Sequence, residues 1–302
     1  MDFAIGLDRG LCRGVSAALI LLCLTLDCST ASAGATWKSG ARNNSSTNGF
    51  AAWRGTPIGM VAGWIEFKKG WSGMYTYASG ASPRQLRAKS ANVSFGHGLF
   101  PSGGSLTACA KGDCDDEQRE VARRLKANGV SDAEIRLGWE ASGDWYAWTA
   151  VGKSATDWKN CFTRVAKAMK AKAPSLRIAW HMAKKGRIDV RTIYPDDAPI
   201  TNIGVSHYDD AEDRFGLETY NGGPWGLKAW CQFAVSKGKK FEISEWGVGR
   251  NGDNPQYIQD MYNFLQWAGN SIAHEAYFNT SKYQLYPIGP NPKSSALYQK
   301  LF

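Results

Sequence analysis

Two glutamates stand at the ends of strand-like runs that are rich in aromatic residues. Glu140 lies within Ile135-Arg-Leu-Gly-Trp-Glu-Ala-Ser-Gly-Asp-Trp-Tyr-Ala-Trp148, and Glu245 within Phe241-Glu-Ile-Ser-Glu-Trp-Gly247. Cleavage of a glycosidic bond requires such a pair, since one carboxylic acid protonates the leaving oxygen while one carboxylate supplies an anion to the sugar carbon. Both residues are therefore candidates for catalysis. The alternative is that they are exposed strand-end acids in ordinary salt bridges.

The segments around these glutamates alternate between strands and helices. Strands are predicted at 59–67, 91–95, 134–140, 176–181, 202–207, 240–245 and 272–278, and helices at 116–128, 154–171, 225–236, 254–268 and 294–301. Repeated strand-then-helix order is typical of a parallel sheet. Seven or eight strands over roughly 240 residues favour a closed (β/α)8 TIM barrel over an open doubly wound sheet. The expected fold class is α/β, with a single barrel domain.

The first 33 residues have the layout of a secretory signal peptide. Arg9 and Arg13 precede the apolar stretch Val15 to Leu26, and the small residues Ala31-Ser-Ala33 follow. A lipid anchor on Cys28 is the rival interpretation. We therefore expect a leader over 1–33, a catalytic domain over 34–302 with a loose start at 34–48, and a secreted protein that is not inserted in a membrane.

The charge of the chain is strongly positive, with 36 Lys and Arg residues against 27 Asp and Glu residues. Without the predicted leader the counts are 34 and 24, a net charge of +10. Such an excess favours an acidic environment, and an anionic polysaccharide is one candidate partner. Nucleic acid is a weaker candidate, because basic residues at helical spacing along 164–170 are typical of a solvated helix face. We expect a monomer.

Four cysteines follow the predicted leader, an even number that permits disulfides in an exported chain. Cys109 and Cys114 flank a short loop and are predicted to bridge. Cys161 and Cys231 lie on separate predicted helices, so their pairing depends on the fold. The alternative for these two is a pair of buried thiols.

Strand parity predicts which side chains converge. Arg136, Gly138 and Glu140 should share one strand face, as should Phe241, Ile243 and Glu245. By the same rule Glu242 points away from Glu245, and Glu134 lies at the start of its strand. Arg136 is expected either to hold a carboxylate ionised or to form a structural ion pair.

Aromatic and polar side chains at predicted strand ends suit a sugar-binding cleft, since sugar C–H faces pack on aromatic rings. For any single aromatic residue, core packing is the alternative. Histidines at strand ends are expected to be either hydrogen-bond partners of the substrate or satisfied core residues, and Asp144 either a ligand of sugar hydroxyls or a loop-stabilising residue. The candidate substrate-binding residues are Trp139, Asp144, Trp145, Trp148, Trp180, His181, Tyr208, Trp246 and Phe278.

Signals for other chemistries are weak. Gly247-Val-Gly-Arg-Asn-Gly252 matches a dinucleotide-binding pattern, but Pro255 delays the helix and too few residues remain for that sheet. The four histidines lack metal-ligand spacing, and no nucleophilic-serine motif occurs. We expect no metal and no cofactor.

The motifs resemble glycoside hydrolase family 26, whose best-known members are β-mannanases in the clan of retaining (β/α)8 glycosidases. The resemblance rests on Arg136-Leu-Gly-Trp-Glu140, Gly143-Asp-Trp-Tyr-Ala-Trp148, Ile203-Gly-Val-Ser-His-Tyr208 and Ile243-Ser-Glu-Trp-Gly247. It implies that Glu140 is the acid/base, that Glu245 is the nucleophile, and that Tyr208 hydrogen-bonds the nucleophile.

In a retaining mechanism the two carboxyl groups should lie about 5–5.5 Å apart. Burial against Trp139 and Trp145 is expected to raise the pKa of Glu140. The family's mannanases carry His immediately before the acid/base, where this chain has Trp139, so a β-glucan, a β-xylan or an exopolysaccharide is an alternative substrate. A non-catalytic polysaccharide-binding protein is the alternative function, and a polysaccharide lyase is a third.

Overall fold

A computed structural model describes residues 37–42, 47–184, 186–209, 215, 225–249 and 251–302. The predicted leader lies outside these residues, so its boundary stays a prediction. Within the described part of the chain, no helix is long and apolar enough to cross a membrane.

The described residues form a closed barrel of eight parallel strands in chain order. This arrangement confirms the predicted TIM barrel. The first and last strands close it, with Lys38 opposite His274 and Ala41 opposite Tyr277. The strands are β1 (Lys38–Arg42), β2 (Met60–Trp64), β3 (Val93–His97), β4 (Glu134–Leu137), β5 (Arg177–Ala183), β6 (Ile200–Tyr208), β7 (Lys240–Gly247) and β8 (Ile272–Tyr277).

Helices surround the barrel and bury their apolar faces against it. Ser154 caps the long helix Ala155–Lys172 by accepting a hydrogen bond from the Asp157 backbone N–H. Asn254 caps the helix Pro255–Ala268 in the same way by accepting from the Tyr257 backbone N–H. The helices are α1 (Thr47–Arg54), α2 (Gly70–Ser79), α3 (Ala81–Lys89), α4 (Leu106–Lys111), α5 (Asp115–Ala127), α6 (Ala155–Lys172), α7 (Leu227–Ser236), α8 (Pro255–Ala268) and α9 (Pro292–Leu301).

Strand β1 lies in the segment 34–48 that the sequence predicted to be loose. Its residues, Lys-Ser-Gly-Ala-Arg, include no β-branched or aromatic side chain, so propensity gave no strand signal. The neighbouring strands determine its conformation instead. A β-carbon on Gly40 would lie 2.1 Å from the Met60 carbonyl oxygen, so the close approach of β1 to β2 requires glycine.

Strand β7 corrects the parity prediction. The pairing of β7 with β6 shifts register between Gly204 and Ser206, and its pairing with β8 shifts between Ile243 and Trp246. Such an irregularity places two consecutive residues on the same face. Glu242 and Glu245 therefore both face the barrel interior, whereas parity alone had separated them.

The disulfide joins Cys109 of α4 to Cys161 of α6, with their Cα atoms 5.1 Å apart. The predicted Cys109–Cys114 bridge is wrong, because Cys109 and Cys161 are buried where the two helices meet. Cys114 and Cys231 carry free, buried thiols, so Cys161 does not pair with Cys231.

The bridge predicts a difference between two cysteine variants. Cys161→Ala opens a loop that spans 52 residues, so the free energy of unfolding should fall by about 2–4 kcal/mol. Cys114→Ala is the matched control, since it also removes one buried sulfur but no cross-link, and it should cost about 1 kcal/mol. Urea unfolding measures both. Equal losses would contradict the assigned pairing.

Candidate active site

Glu140 lies in a tight turn just beyond β4 and not on the strand itself. The strand ends at Leu137, and both Gly138 and Glu140 have positive φ, at 57° and 58°. A left-handed conformation is costly for a residue with a β-carbon, so the surrounding contacts must hold it. The Glu140 N–H donates to the His181 carbonyl at 2.8 Å. The Trp145 indole N–H donates to the Glu140 carboxylate at 2.8 Å, which orients it at the barrel mouth.

Glu245 lies near the end of β7 with its carboxylate held from two sides. The Tyr208 hydroxyl donates a hydrogen bond to Oε1. On the other side, Nη1 of Arg136 lies 3.8 Å from Oε2. Arg136 is fully buried, and its Nη2 donates to the Gly63 carbonyl at 2.9 Å. A fixed cation and a fixed hydroxyl therefore face the same carboxylate.

Burial, and after it the neighbouring Glu140 carboxylate, raises the pKa of Glu245 to about 7. The Arg136 guanidinium, the Tyr208 hydrogen bond and the Arg42 guanidinium act in the opposite direction. The two carboxyl groups are thus within electrostatic reach of each other.

Three of the predicted aromatic residues line the mouth beside the carboxyl pair. Trp145 is 49% exposed next to Glu140. Tyr208 and Phe278 are half-buried, and their ring centroids lie 5.8 Å apart. These three side chains offer apolar faces on both sides of the carboxyl pair.

Other predicted aromatic residues are fully buried in packing positions. The ring centroids of Trp139 and Trp148 lie 4.7 Å apart, and both rings pack against Phe67. Trp180 packs on Trp230 and Phe233 of α7. The structure places these side chains in the core, which was the alternative stated for any single aromatic residue.

Trp246 is also fully buried, because the residue after Glu245 points outward from β7. Its ring packs against Tyr298 and Phe302 at the end of the chain, and its indole N–H donates to Glu275. It therefore supports the barrel wall and does not face the mouth.

The two polar candidates, Asp144 and His181, lie in different parts of the barrel. Asp144 lies at the rim, where its carboxylate is 2.8 Å from Nη1 of the exposed Arg187. His181 lies inside the barrel, with Nδ1 2.6 Å from Glu242 and Nε2 3.0 Å from the Ser206 hydroxyl. His181 is thus a satisfied core residue, one of the two roles expected for it.

The described residues of the mouth include Arg42 and Trp64, which were not predicted. Arg42 ends β1, and its guanidinium carbon lies 4.5 Å from the Phe278 ring centroid and 5.4 Å from that of Trp64. Trp64 ends β2 and also packs under Arg136, 5.0 Å from its guanidinium carbon. The end of the predicted strand at 59–67 was a signal for Trp64, whereas the unpredicted β1 hid Arg42.

A second cluster of charged groups lies deeper in the barrel. Nε2 of His274 is 3.2 Å from Glu134 Oε1 and 3.6 Å from Glu242 Oε2. Burial opposes the charged imidazolium, but the Glu134 carboxylate and then the Glu242 carboxylate raise the pKa of His274 above its ordinary value. These are the described side chains whose spacing suits a metal ion. Hydrogen bonds from Ser94 and Ser244 already satisfy the two carboxylates, so an ion network accounts for them.

The fold matches solved structures of glycoside hydrolases. GH26C from Muricauda sp. MAR_2010_75 aligns with a TM-score of 0.62 at 14% identity, over 88% of this chain and 85% of that chain. The GH26 β-mannanase BoMan26A from Bacteroides ovatus aligns at 0.58 and 11%, over 88% of each chain. A fungal β-1,4-galactanase aligns at 0.58 and 12%, over 88% of this chain and 99% of that chain.

These identities are low, so the likeness is one of fold. The (β/α)8 barrel that the sequence predicted is the fold that this chain shares with these solved glycoside hydrolases. No family model and no curated protein matches the sequence.

The raised pKa of Glu245 predicts a pH-dependent stability. The native state holds this proton up to about pH 7, whereas the unfolded chain releases it near pH 4.5. The stabilisation that this group contributes to the native state is therefore complete below pH 4.5. It is lost as the pH rises through 7. Glu245→Gln should be more stable than wild type at pH 8 by on the order of 2–3 kcal/mol, and should show little difference at pH 4. Urea unfolding at both pH values checks this, and an equal difference at both would contradict it.

Proposed function

We propose that the protein is a retaining β-glycoside hydrolase that cleaves a β-linked polysaccharide internally by double displacement. The observation that carries the proposal is the buried carboxyl pair, Glu140 and Glu245, at the carboxyl ends of the strands. In TIM-barrel enzymes this end of the barrel holds the active site. Solved structures with this fold include enzymes named as a β-mannanase and a β-1,4-galactanase, which supports the reaction class.

Glu245 acts as the nucleophile and must be ionised when it attacks the anomeric carbon. Arg136 and Tyr208 favour the ionised form, since one supplies a positive charge and the other a hydrogen bond to the carboxylate. Burial and Glu140 oppose them. The balance leaves a carboxylate that forms near neutral pH and is poorly solvated, as a reactive nucleophile should be.

Glu140 acts as the acid and then as the base. Two carboxylates close together in a site of low dielectric share one proton, because full ionisation of both is unfavourable. The reaction needs that proton on Glu140, beside the leaving-group oxygen, at the moment Glu245 attacks. The Trp145 indole orients Glu140. In the second step Glu140 takes a proton from water, the water oxygen bonds to the anomeric carbon, and the bond from that carbon to Glu245 breaks.

The residue immediately before Glu140 bears on which sugar the protein binds. The residue before Glu140 is Trp139, which is 1% exposed and packs in the core, so it offers no polar group to the substrate as a histidine there would. Mannan, β-glucan and an exopolysaccharide remain the candidate classes. The net charge favours an anionic member of them.

We also propose that the protein is exported after cleavage near Ala33 and acts as a monomer outside the cytoplasm. The leader pattern of the sequence supports export. Sequencing of the amino terminus of the protein recovered outside the cell should begin near Gly34, and recovery of the chain with residues 1–33 intact only inside the cell would contradict the proposal.

Two active-site variants should separate the roles of the glutamates. Glu245→Gln should show no turnover on any substrate, because no covalent intermediate can form. Glu140→Gln should lose a factor of about 10²–10⁴ on polysaccharide but far less in the first step with a dinitrophenyl glycoside, whose leaving group needs no proton. Reducing-end release and dinitrophenolate release measure the two.

A polysaccharide-binding protein without activity would release no reducing ends from a panel of β-mannan, β-glucan, β-xylan and acidic exopolysaccharide. Near-normal turnover by Glu245→Gln would overturn the catalytic assignment. The anomeric configuration of the first product, observed by proton NMR, distinguishes retention from inversion.

A further inference from the structure

Arg42 presents a guanidinium at the barrel mouth that no described side chain neutralises. It is half-buried at the end of β1, and it forms no ion pair with any residue that the structure describes. Its Nε is buried and has no hydrogen-bond partner there. Because the side chain as a whole is only half-buried, a ligand acceptor would meet the outer N–H groups of the guanidinium.

Phe278 and Trp64 hold this guanidinium in place. Its carbon lies 4.5 Å from the Phe278 ring centroid and 5.4 Å from that of Trp64. Contact with aromatic rings restricts the orientation of a guanidinium but leaves N–H groups free to donate. The planar, oriented fork that results is suited to two parallel hydrogen bonds with a carboxylate.

The other arginines around the mouth already have partners. Arg136 is fully buried, donates to the Gly63 carbonyl and faces Glu245. Arg187 pairs with Asp144 at the rim. Arg42 also lies close enough to Glu245 to lower its pKa. Among these three arginines, Arg42 is thus the one whose charge remains available to a substrate.

The barrel order indicates which part of a substrate Arg42 would contact. Strands β1, β2 and β8 are neighbours, whereas Glu140 follows β4, across the barrel from β8. The acid must lie beside the leaving-group oxygen, so the part of the polysaccharide that departs would bind next to Glu140. Arg42, Trp64 and Phe278 lie on the other side, where the proposed reaction would place the sugar units that the enzyme retains.

We propose that Arg42 forms a subsite for a carboxylate-bearing sugar unit on the retained side of the cleavage point, with Phe278 and Trp64 as its apolar walls. The carboxylates of Glu140 and Glu245 would repel an anionic sugar unit nearby, and the positive charge of Arg42 offsets that repulsion. The proposal deepens the proposed function and rests on it for the polarity of the cleft. The carboxylate belongs to a uronic acid or to a pyruvate ketal, which share this chemistry.

Binding to the full mature protein carrying Glu245→Gln tests the subsite without hydrolysis. The probes are a hexasaccharide of alternating β-linked glucuronic acid and glucose, its carboxyl-reduced form, and the reduced form bearing a pyruvate ketal. Calorimetry should show at least one acidic probe binding more tightly than the neutral one. Adding Arg42→Gln should remove that preference, a loss on the order of 10- to 100-fold in affinity for the acidic probe.

Two further variants distinguish the guanidinium fork of Arg42 from a general effect of positive charge. Arg42→Lys keeps the charge but not the fork and should restore part of the preference. Lys126→Gln removes one positive charge from an exposed position on α5 and should leave the preference intact. Circular dichroism confirms that each variant is folded.

The outcomes separate the subsite from the reaction. An equal loss of affinity for acidic and neutral probes, or no preference for either acidic probe in the Glu245→Gln protein, overturns the subsite. Failure of the wild-type protein to cleave any polysaccharide, together with Arg42-dependent binding of an acidic probe, overturns the hydrolase but leaves the carboxylate site. The probe that Arg42 favours identifies the source of the carboxylate.

Discussion

Repulsion between the carboxylates of Glu140 and Glu245 is the constraint on which the barrel mouth depends. Both groups are removed from water, so their mutual repulsion is screened far less than it would be on a surface. Arg136 offsets part of it from within the barrel, and Tyr208 fixes the orientation of one partner. Removal of Arg136 while both acids remain would take away the buried cation beside Glu245, and loss of one partner of a buried ion pair is strongly destabilising.

The interior below the mouth obeys the same rule. Glu134 and Glu242 are fully buried, and His274 lies between them, where the two carboxylates favour its charged form. Apolar packing is therefore concentrated outside the strands, between the sheet and the helices, where Trp158, Trp180 and similar side chains lie. The barrel has a polar axis and an apolar outer layer. This division explains why rings at predicted strand ends, such as Trp180, face helices and not the cleft.

The sequence predicted those features that depend on local pattern. Alternation of apolar runs and capped helices was sufficient to predict the barrel. The motifs around Glu140 and Glu245 were sufficient to predict both carboxyl groups of the candidate site. It failed where neighbouring strands override local preference. Strand β1 forms because β2 and β8 supply its hydrogen bonds, and the irregularity in β7 that turns Glu245 inward has no signature in the residues of that strand. The pairing of Cys109 likewise depends on which helices pack together.

Closure of the barrel between β1 and β8 has a consequence for when the cleft comes into existence. The mouth combines Arg42 from the first strand with Phe278, which follows the last. Contacts between such distant parts of a chain form late in folding, since the entropy of closing the intervening loop must be overcome first. A chain synthesised only as far as β7 would contain both glutamates but would lack Phe278 and β8, the sheet edge that orders β1. The complete cleft, and any activity that depends on it, therefore arises only after the whole barrel has been translated and closed.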